Sequence, residues 1–310
     1  MKSACGIIPP LVTPLTDQYK IDVPGLERLI EHVISGGVHG LFVLGTTGEG
    51  PSLKYDVRRE MIRQTCRIVA GRIPVFVGIS DTAIRESIAL AQFAADTGCD
   101  FVVAVPPYYF PLGQCELLAY FKQLLSEMPL PTLLYNMPAV TGMTIGTETV
   151  RQLLDQDNFV GLKDSSGDLE YFQDILSVTS TRQDFSVLVG PEHLLATTLP
   201  MGSDGGVSGG ANIWPGLFVE LYESVIADKN FDAAPLAKTI ARFGEIYKVG
   251  PQSVTATVAR LKGALSILGI CNNKTAPPIA GIGSNEQKQI ESILQQLGRV
   301  PSHPQIPQIA

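Results

Sequence analysis

The sequence predicts an α/β protein, a (β/α)8 TIM barrel with a C-terminal helical extension, and three observations predict it. Short β-branched runs alternate with segments of helical period along the chain. Eight such strand–helix units fit before residue 229. The 310 residues suit one barrel of ~250 residues with an appendage.

The strands are expected, in order, at 6–12, 40–45, 74–79, 101–105, 132–136, 159–163, 186–190 and 205–207. Segments of helical period follow each of them, at 24–35, 53–70, 84–97, 115–126, 148–154, 169–178, 192–199 and 213–227. Apolar runs such as Leu41-Phe42-Val43-Leu44 read as strands covered on both faces, as parallel strands are. A doubly wound open sheet shares this local pattern, and the count of eight favours a closed barrel. The units make a barrel over 1–228. Residues 231–268 read as two further helices and 285–297 as a third, so an extension over 229–298 packs on the barrel. The Pro- and Gln-rich stretch 299–310 is expected to be poorly ordered.

Composition narrows the function classes. Hydrophobic residues at 45% against 17% charged exclude a disordered chain and supply a large core. A net charge of −7 argues against a basic nucleic-acid surface, though a local cluster of donors can still bind a carboxylate. Cysteines at 5, 66, 99, 115 and 271 form no CxxC pair, so reduced thiols and a cytoplasmic location are expected. The N-terminus lacks the apolar stretch of a signal peptide, and no window approaches the ~18 apolar residues of a membrane span. His32, His39, His193 and His303 show no metal-ligand spacing, so no metal is expected. A Ser-His-Asp hydrolase is disfavoured because no G-x-S-x-G elbow is present; Val207-Ser208-Gly209 resembles one only superficially.

In such a barrel, the C-terminal strand ends and the loops after them build the active site. The second strand runs into Gly45-Thr46-Thr47-Gly48-Glu49-Gly50, the fourth into Pro106-Pro107-Tyr108-Tyr109, and the fifth into Tyr135-Asn136. The sixth ends at Lys163-Asp164-Ser165-Ser166, the seventh at Gly190-Pro191-Glu192, and the eighth enters Gly205–Gly210. Hydroxyls, phenols, one amine and glycine-exposed amides converge at one end.

Lys163 is the most informative of these. Alternation along the strand places 159, 161 and 163 on one face. An inward lysine is costly as a cation, and desolvation favours the neutral amine, a nucleophile toward a keto acid. Two bland readings stand beside this: a lysine that snorkels out of the strand end, or one paired with Asp164. The Gly45–Gly50 stretch lacks the spacing of nucleotide loops, but Thr46 and Thr47 can offer hydroxyls and amides to a carboxylate. It is equally a plain glycine-rich turn. The Gly205–Gly210 run either lets backbone approach a ligand or relieves crowding at the last strand. Tyr135 and Tyr109, each alone, read as barrel-mouth packing; beside Lys163 they become candidates for proton transfer.

Four motifs occur in order and carry a resemblance: Gly45-Thr46-Thr47-Gly48-Glu49, Pro107-Tyr108-Tyr109, Tyr135-Asn136-Met137-Pro138, and Gly161 through Asp168 with Lys163 at its centre. Together they resemble the dihydrodipicolinate synthase and N-acetylneuraminate lyase family, from about Ile7 to about Leu297. The resemblance implies a (β/α)8 barrel with C-terminal helices, commonly a homotetramer, otherwise a homodimer. It implies a Schiff base between pyruvate and Lys163, with no further cofactor. Tyr135 would be the proton shuttle, aided by Thr46, while Thr46 and Thr47 would hold the pyruvate carboxylate. Tyr109 matches a tyrosine that reaches into a neighbouring subunit's site, and the backbone around Val207 would line the pyruvate pocket.

Two departures bear on the second substrate. The synthases carry an arginine after the Tyr135 segment for the aldehyde's carboxylate, and Val140 stands there instead. The sialic acid lyases carry an Asp-Glu pair after the seventh strand, which Gly190-Pro191-Glu192-His193 matches only in part. The leading expectation is therefore a class I lyase that makes or breaks a carbon–carbon bond next to pyruvate. Its partner would be a small hydroxylated aldehyde, giving a 2-keto-3-deoxy acid, with Gly190, Glu192 and His193 on the specificity side. The alternatives are condensation of pyruvate with aspartate semialdehyde, dehydration of a keto-deoxy acid, and a catalytically silent pyruvate-binding barrel.

Overall fold

The structure, a computed structural model, describes residues 4–228 and 230–300. Eight strands alternate with helices: β1 (Gly6–Ile7), α1 (Val23–Ser35), β2 (Leu41–Val43), α2 (Tyr55–Val69), β3 (Val75–Gly78), α3 (Ile84–Thr97), β4 (Phe101–Ala104) and α4 (Gln114–Ser126). There follow β5 (Thr132–Asn136), α5 (Pro138–Thr141), α6 (Thr147–Leu153), β6 (Phe159–Asp164), α7 (Leu169–Thr179), β7 (Ser186–Val189), α8 (Leu195–Met201), β8 (Gly205–Gly206) and α9 (Pro215–Ala227). Helices α10 (Ala234–Phe243), α11 (Val254–Ile267) and α12 (Ser284–Gln296) make the extension.

All strands are parallel, in the order β1-β8-β7-β6-β5-β4-β3-β2, and a parallel bridge between Pro10 and Phe42 joins the two ends. The sheet is a (β/α)8 barrel, and the open doubly wound sheet is excluded. Strand β1 is much shorter than the expected 6–12 because Pro9 and Pro10 donate no ladder hydrogen bond. Segment 192–199 splits into a 3-10 turn, Glu192–Leu194, followed by α8. Short α5 is an element that periodicity did not reveal. Of the stretch 299–310, only Arg299 and Val300 fall among the described residues, and His303 lies outside them.

Local chemistry explains the helix limits. Asp22 accepts from the Gly25 amide at 3.2 Å and Pro24 occupies the first turn of α1, whose Leu26, Leu29, Ile30 and Val33 form a buried face. Helix α3 stops where Gly98 adopts φ +90°. Among the described residues no helix is long and apolar enough to cross a membrane. All five cysteines are free thiols.

Two apolar layers result. Strand residues such as Leu41, Val43, Val75 and Val77 pack outward under the helices, while Ile8, Phe42, Phe76, Phe101, Leu133 and Leu188 fill the barrel interior. Phe76 and Phe101 stack with centroids 4.4 Å apart, a contact worth ~0.5–1.5 kcal/mol beyond burial. Gly205 belongs to the crowding reading: a Cβ there would lie 2.1 Å from the Gly6 carbonyl oxygen.

Candidate active site at the C-terminal mouth of the barrel

The register of β5 on β6 builds the centre of the site. Tyr135 pairs with Lys163 and Asn136 with Asp164, so the phenol and the amine stand side by side on the inner face. The register slips between Thr132 and Leu133. This irregularity corrects the expected alternation: Phe159 packs in the outer layer and Val160 in the inner one, while Lys163 still points inward. Lys163 is 5% exposed, with Nζ 3.8 Å from the Tyr135 ring centroid and 5.2 Å from that of Phe42.

Neither bland reading of Lys163 survives. It does not snorkel to solvent, and among the described residues no carboxylate pairs with it. Asp164 lies on the opposite face, where Asn136 Nδ2 donates to it at 2.7 Å and Ser166 Oγ at 2.9 Å. Burial pushes the Asp164 carboxyl above its ordinary value, against those hydrogen bonds. The amine is thus buried over two aromatic faces and borders the cavity.

The turn after β2 supplies the next group. Leu44 and Glu49, at φ +60° and +59°, bracket Thr46 and Thr47 in left-handed backbone. Such conformations cost roughly 1–3 kcal/mol each for non-glycine residues and cluster at functional sites. Thr13 Oγ1 donates to the Gly48 carbonyl at 2.6 Å and pins the middle of the turn.

A cavity of about 340 Å³ opens above Lys163. It brings together Thr46, Thr47, Tyr135, Lys163, Gly190, Glu192, His193 and Val207, every expected site residue except Tyr109. Val207 joins the inner apolar layer, and His193 sits exposed on the rim. Gly190 is required by packing: a Cβ there would meet Ser165 Oγ at 1.8 Å.

Tyr109 is a different case. Its ring is 75% exposed and packs edge-on against Phe110, so it is not barrel-mouth packing and touches nothing in its own chain's cavity. An outward ring suits the implied role only if a second copy of the chain stands opposite. Tyr108 turns inward instead. It lines a second lobe of about 120 Å³ with Thr46, Tyr135, Met137, Val140 and Thr141.

Glu192 departs from an ordinary surface carboxylate. Its Oε2 accepts from the Gly210 amide at 2.8 Å, and burial pushes the group up to about 7. The Tyr247 hydroxyl lies beside it, and burial together with that carboxylate raises the phenol well above its usual value. Neither Glu192 Oε1 nor the Tyr247 hydroxyl has a hydrogen-bond partner of good geometry. Both oxygens are shielded from solvent, and the carboxyl and the phenol interact with each other at the cavity wall. Tyr247 was invisible to motif reading because it comes from a turn of the extension, with no spacing that ties it to the strand ends.

The Glu192 carboxyl also makes stability depend on pH. Its folded value of about 7 lies above the ordinary 4.5, so its contribution is fully present below about 4.5 and is lost as pH rises through about 7. Glu192→Gln should therefore gain stability relative to wild type by roughly 3 kcal/mol or less between pH 4.5 and 8. Parallel urea midpoints for the two proteins across that range would refute this.

The dihydrodipicolinate synthetase family model matches residues 3–297. The chain belongs to the dihydrodipicolinate synthetase family. Among its relatives in that family is YagE of Escherichia coli K12, which carries a provisional name as a 2-dehydro-3-deoxy-D-gluconate aldolase. YagE is 32% identical over 94% of this chain and 96% of its own. A 4-hydroxy-tetrahydrodipicolinate synthase of Methanopyrus kandleri is 30% identical over 96% of this chain and 97% of its own. Among solved structures, a dihydrodipicolinate synthase from Bacteroides thetaiotaomicron superposes with a TM-score of 0.91 at 46% identity, covering 96% of this chain and all of its own. YagE in complex with pyruvate gives 0.90 at 32% identity, covering 96% and 99%. As a member of the dihydrodipicolinate synthetase family the chain is a lyase.

Proposed function

We propose that the protein is a pyruvate-dependent class I aldolase that cleaves or forms the C3–C4 bond of a 2-keto-3-deoxy acid. The observation that supports this most is the Lys163–Tyr135 pair in a cavity that Glu192 and Tyr247 also line. In the cleavage direction the Lys163 amine adds to the keto carbonyl, and Tyr135 passes the protons that release water and leave an iminium. Thr46 and Thr47 hold the carboxylate. Tyr135, aided by Thr46, removes the C4 hydroxyl proton as the C3–C4 electron pair moves into the iminium. An aldehyde departs and an enamine remains, which is protonated at C3 and hydrolysed to pyruvate and free Lys163. The YagE complex shows that a relative with this fold takes pyruvate.

A second reading keeps the imine and changes the aldehyde to aspartate semialdehyde. The 46% likeness to the Bacteroides synthase favours it. Val140 weighs against it, since an apolar, half-exposed side chain stands where a guanidinium would grip the second carboxylate.

The test is borohydride reduction with pyruvate, peptide mapping, and then a panel of aldehydes. The proposal expects one reduced pyruvate adduct on Lys163 and turnover with hydroxylated aldehydes above that with aspartate semialdehyde. The reverse order of rates would install the second reading, and no adduct would remove both.

A further inference from the structure

The turn that carries Thr46 and Thr47 is secured from the far end of the chain. Glu49, the last left-handed residue of that turn, is 1% exposed, and its side chain is fully enclosed. Its Oε1 forms an ion pair with Lys262 Nζ, whose side chain is equally enclosed. Its Oε2 accepts from the Ala276 amide at 2.6 Å, a contact across 227 positions of sequence. Lys262 Nζ also donates to the Lys274 carbonyl at 2.5 Å. Lys262 lies in α11, where every residue from Val258 to Leu265 is buried, so the ammonium has no route to water.

An enclosed ion pair is a poor source of net stability, because two apolar side chains of similar volume often do as well. What it supplies is a fixed direction and distance. Here it fixes a turn whose backbone persists only when its surroundings over-determine it, with Leu44 and Glu49 both left-handed. We infer that Glu49 and Lys262 are positioning residues that hold the Thr46–Thr47 turn at the distance from Lys163 that a keto-acid carboxylate needs. This rests on the proposed reading of that turn as the carboxylate subsite. The extension thereby becomes part of the site's machinery without touching substrate.

The experiment compares wild type with Lys262→Met and Glu49→Gln in the full chain, each checked for folding by circular dichroism. Two quantities are read: the pyruvate concentration giving half-maximal borohydride trapping on Lys163, and hydrogen exchange of the 44–53 peptide. Loss of positioning should raise the half-saturating pyruvate about tenfold or more, while the limiting trapping rate changes by less than about threefold. Exchange of 44–53 should quicken in the same variants. If Lys262→Met does not fold, the double variant Glu49→Gln/Lys262→Met, which leaves no charge unpaired, is read in the same way. Folded variants with wild-type half-saturation and wild-type exchange would overturn the inference. If wild type itself is not trapped by pyruvate, the proposed function fails, and the exchange measurement alone decides the positioning role.

Discussion

Lys163→Ala should abolish borohydride trapping and lower kcat/KM by roughly 10⁴-fold or more, the scale on which removal of a covalent nucleophile acts. Alanine has no amine to form the iminium, so the electron sink for bond cleavage is gone. Thr46, Thr47 and the Glu192–Tyr247 wall remain, so weak substrate binding should persist and the defect should fall on kcat. The fold should survive, because Lys163 makes no ion pair among the described residues and its loss strands no buried charge. Lys163→Arg is the informative control. A guanidinium can lie over the same Tyr135 and Phe42 rings but stays protonated and does not add to carbonyls. Pyruvate-dependent turnover in either variant would exclude the imine route.

Tyr135→Phe separates the ring from the hydroxyl. The phenyl face that Lys163 overlies is retained, and so is the packing of the inner layer. Only the group proposed to move protons is lost, and such groups contribute about 10²–10⁴-fold. The expected result is a fall of that size in kcat, with trapping on Lys163 slowed but not lost. A melting temperature close to wild type would show that the effect is chemical. If kcat for cleavage stayed within a few-fold of wild type, another group, Thr46 first, would have to carry the proton.

Much of this was legible in the chain because it is local. The count of eight strand–helix units favours a barrel over the open sheet that shares its periodicity, and a lysine ending an apolar strand is a candidate buried amine beside the snorkelling and Asp164-paired readings. The errors came where local rules meet distant partners. Phe159 faces outward because β6 must fit the register of β5, which alternation within β6 does not encode. Which of two adjacent tyrosines, Tyr108 or Tyr109, lines this chain's own cavity depends on how one loop leaves β4, which the residue types do not encode. In the sequence Glu49 is one residue of a glycine-rich turn, and Lys262 lies within a segment read only as helical. Their meeting is set by how α11 crosses the barrel mouth, more than two hundred residues after the turn is made. Tyr247 escaped for the same reason.

That separation also orders events during synthesis. The Glu49 turn leaves the ribosome first, and Ala276, which donates to its carboxylate, is added 227 residues later. At about 5–20 residues per second, the gap is roughly ten to fifty seconds. For most of that interval, until Lys262 is added, the nascent barrel carries an acidic turn with neither of the partners that later enclose it. The turn proposed to hold the keto-acid carboxylate is therefore finished among the last parts of the molecule, although its threonines are among the first made.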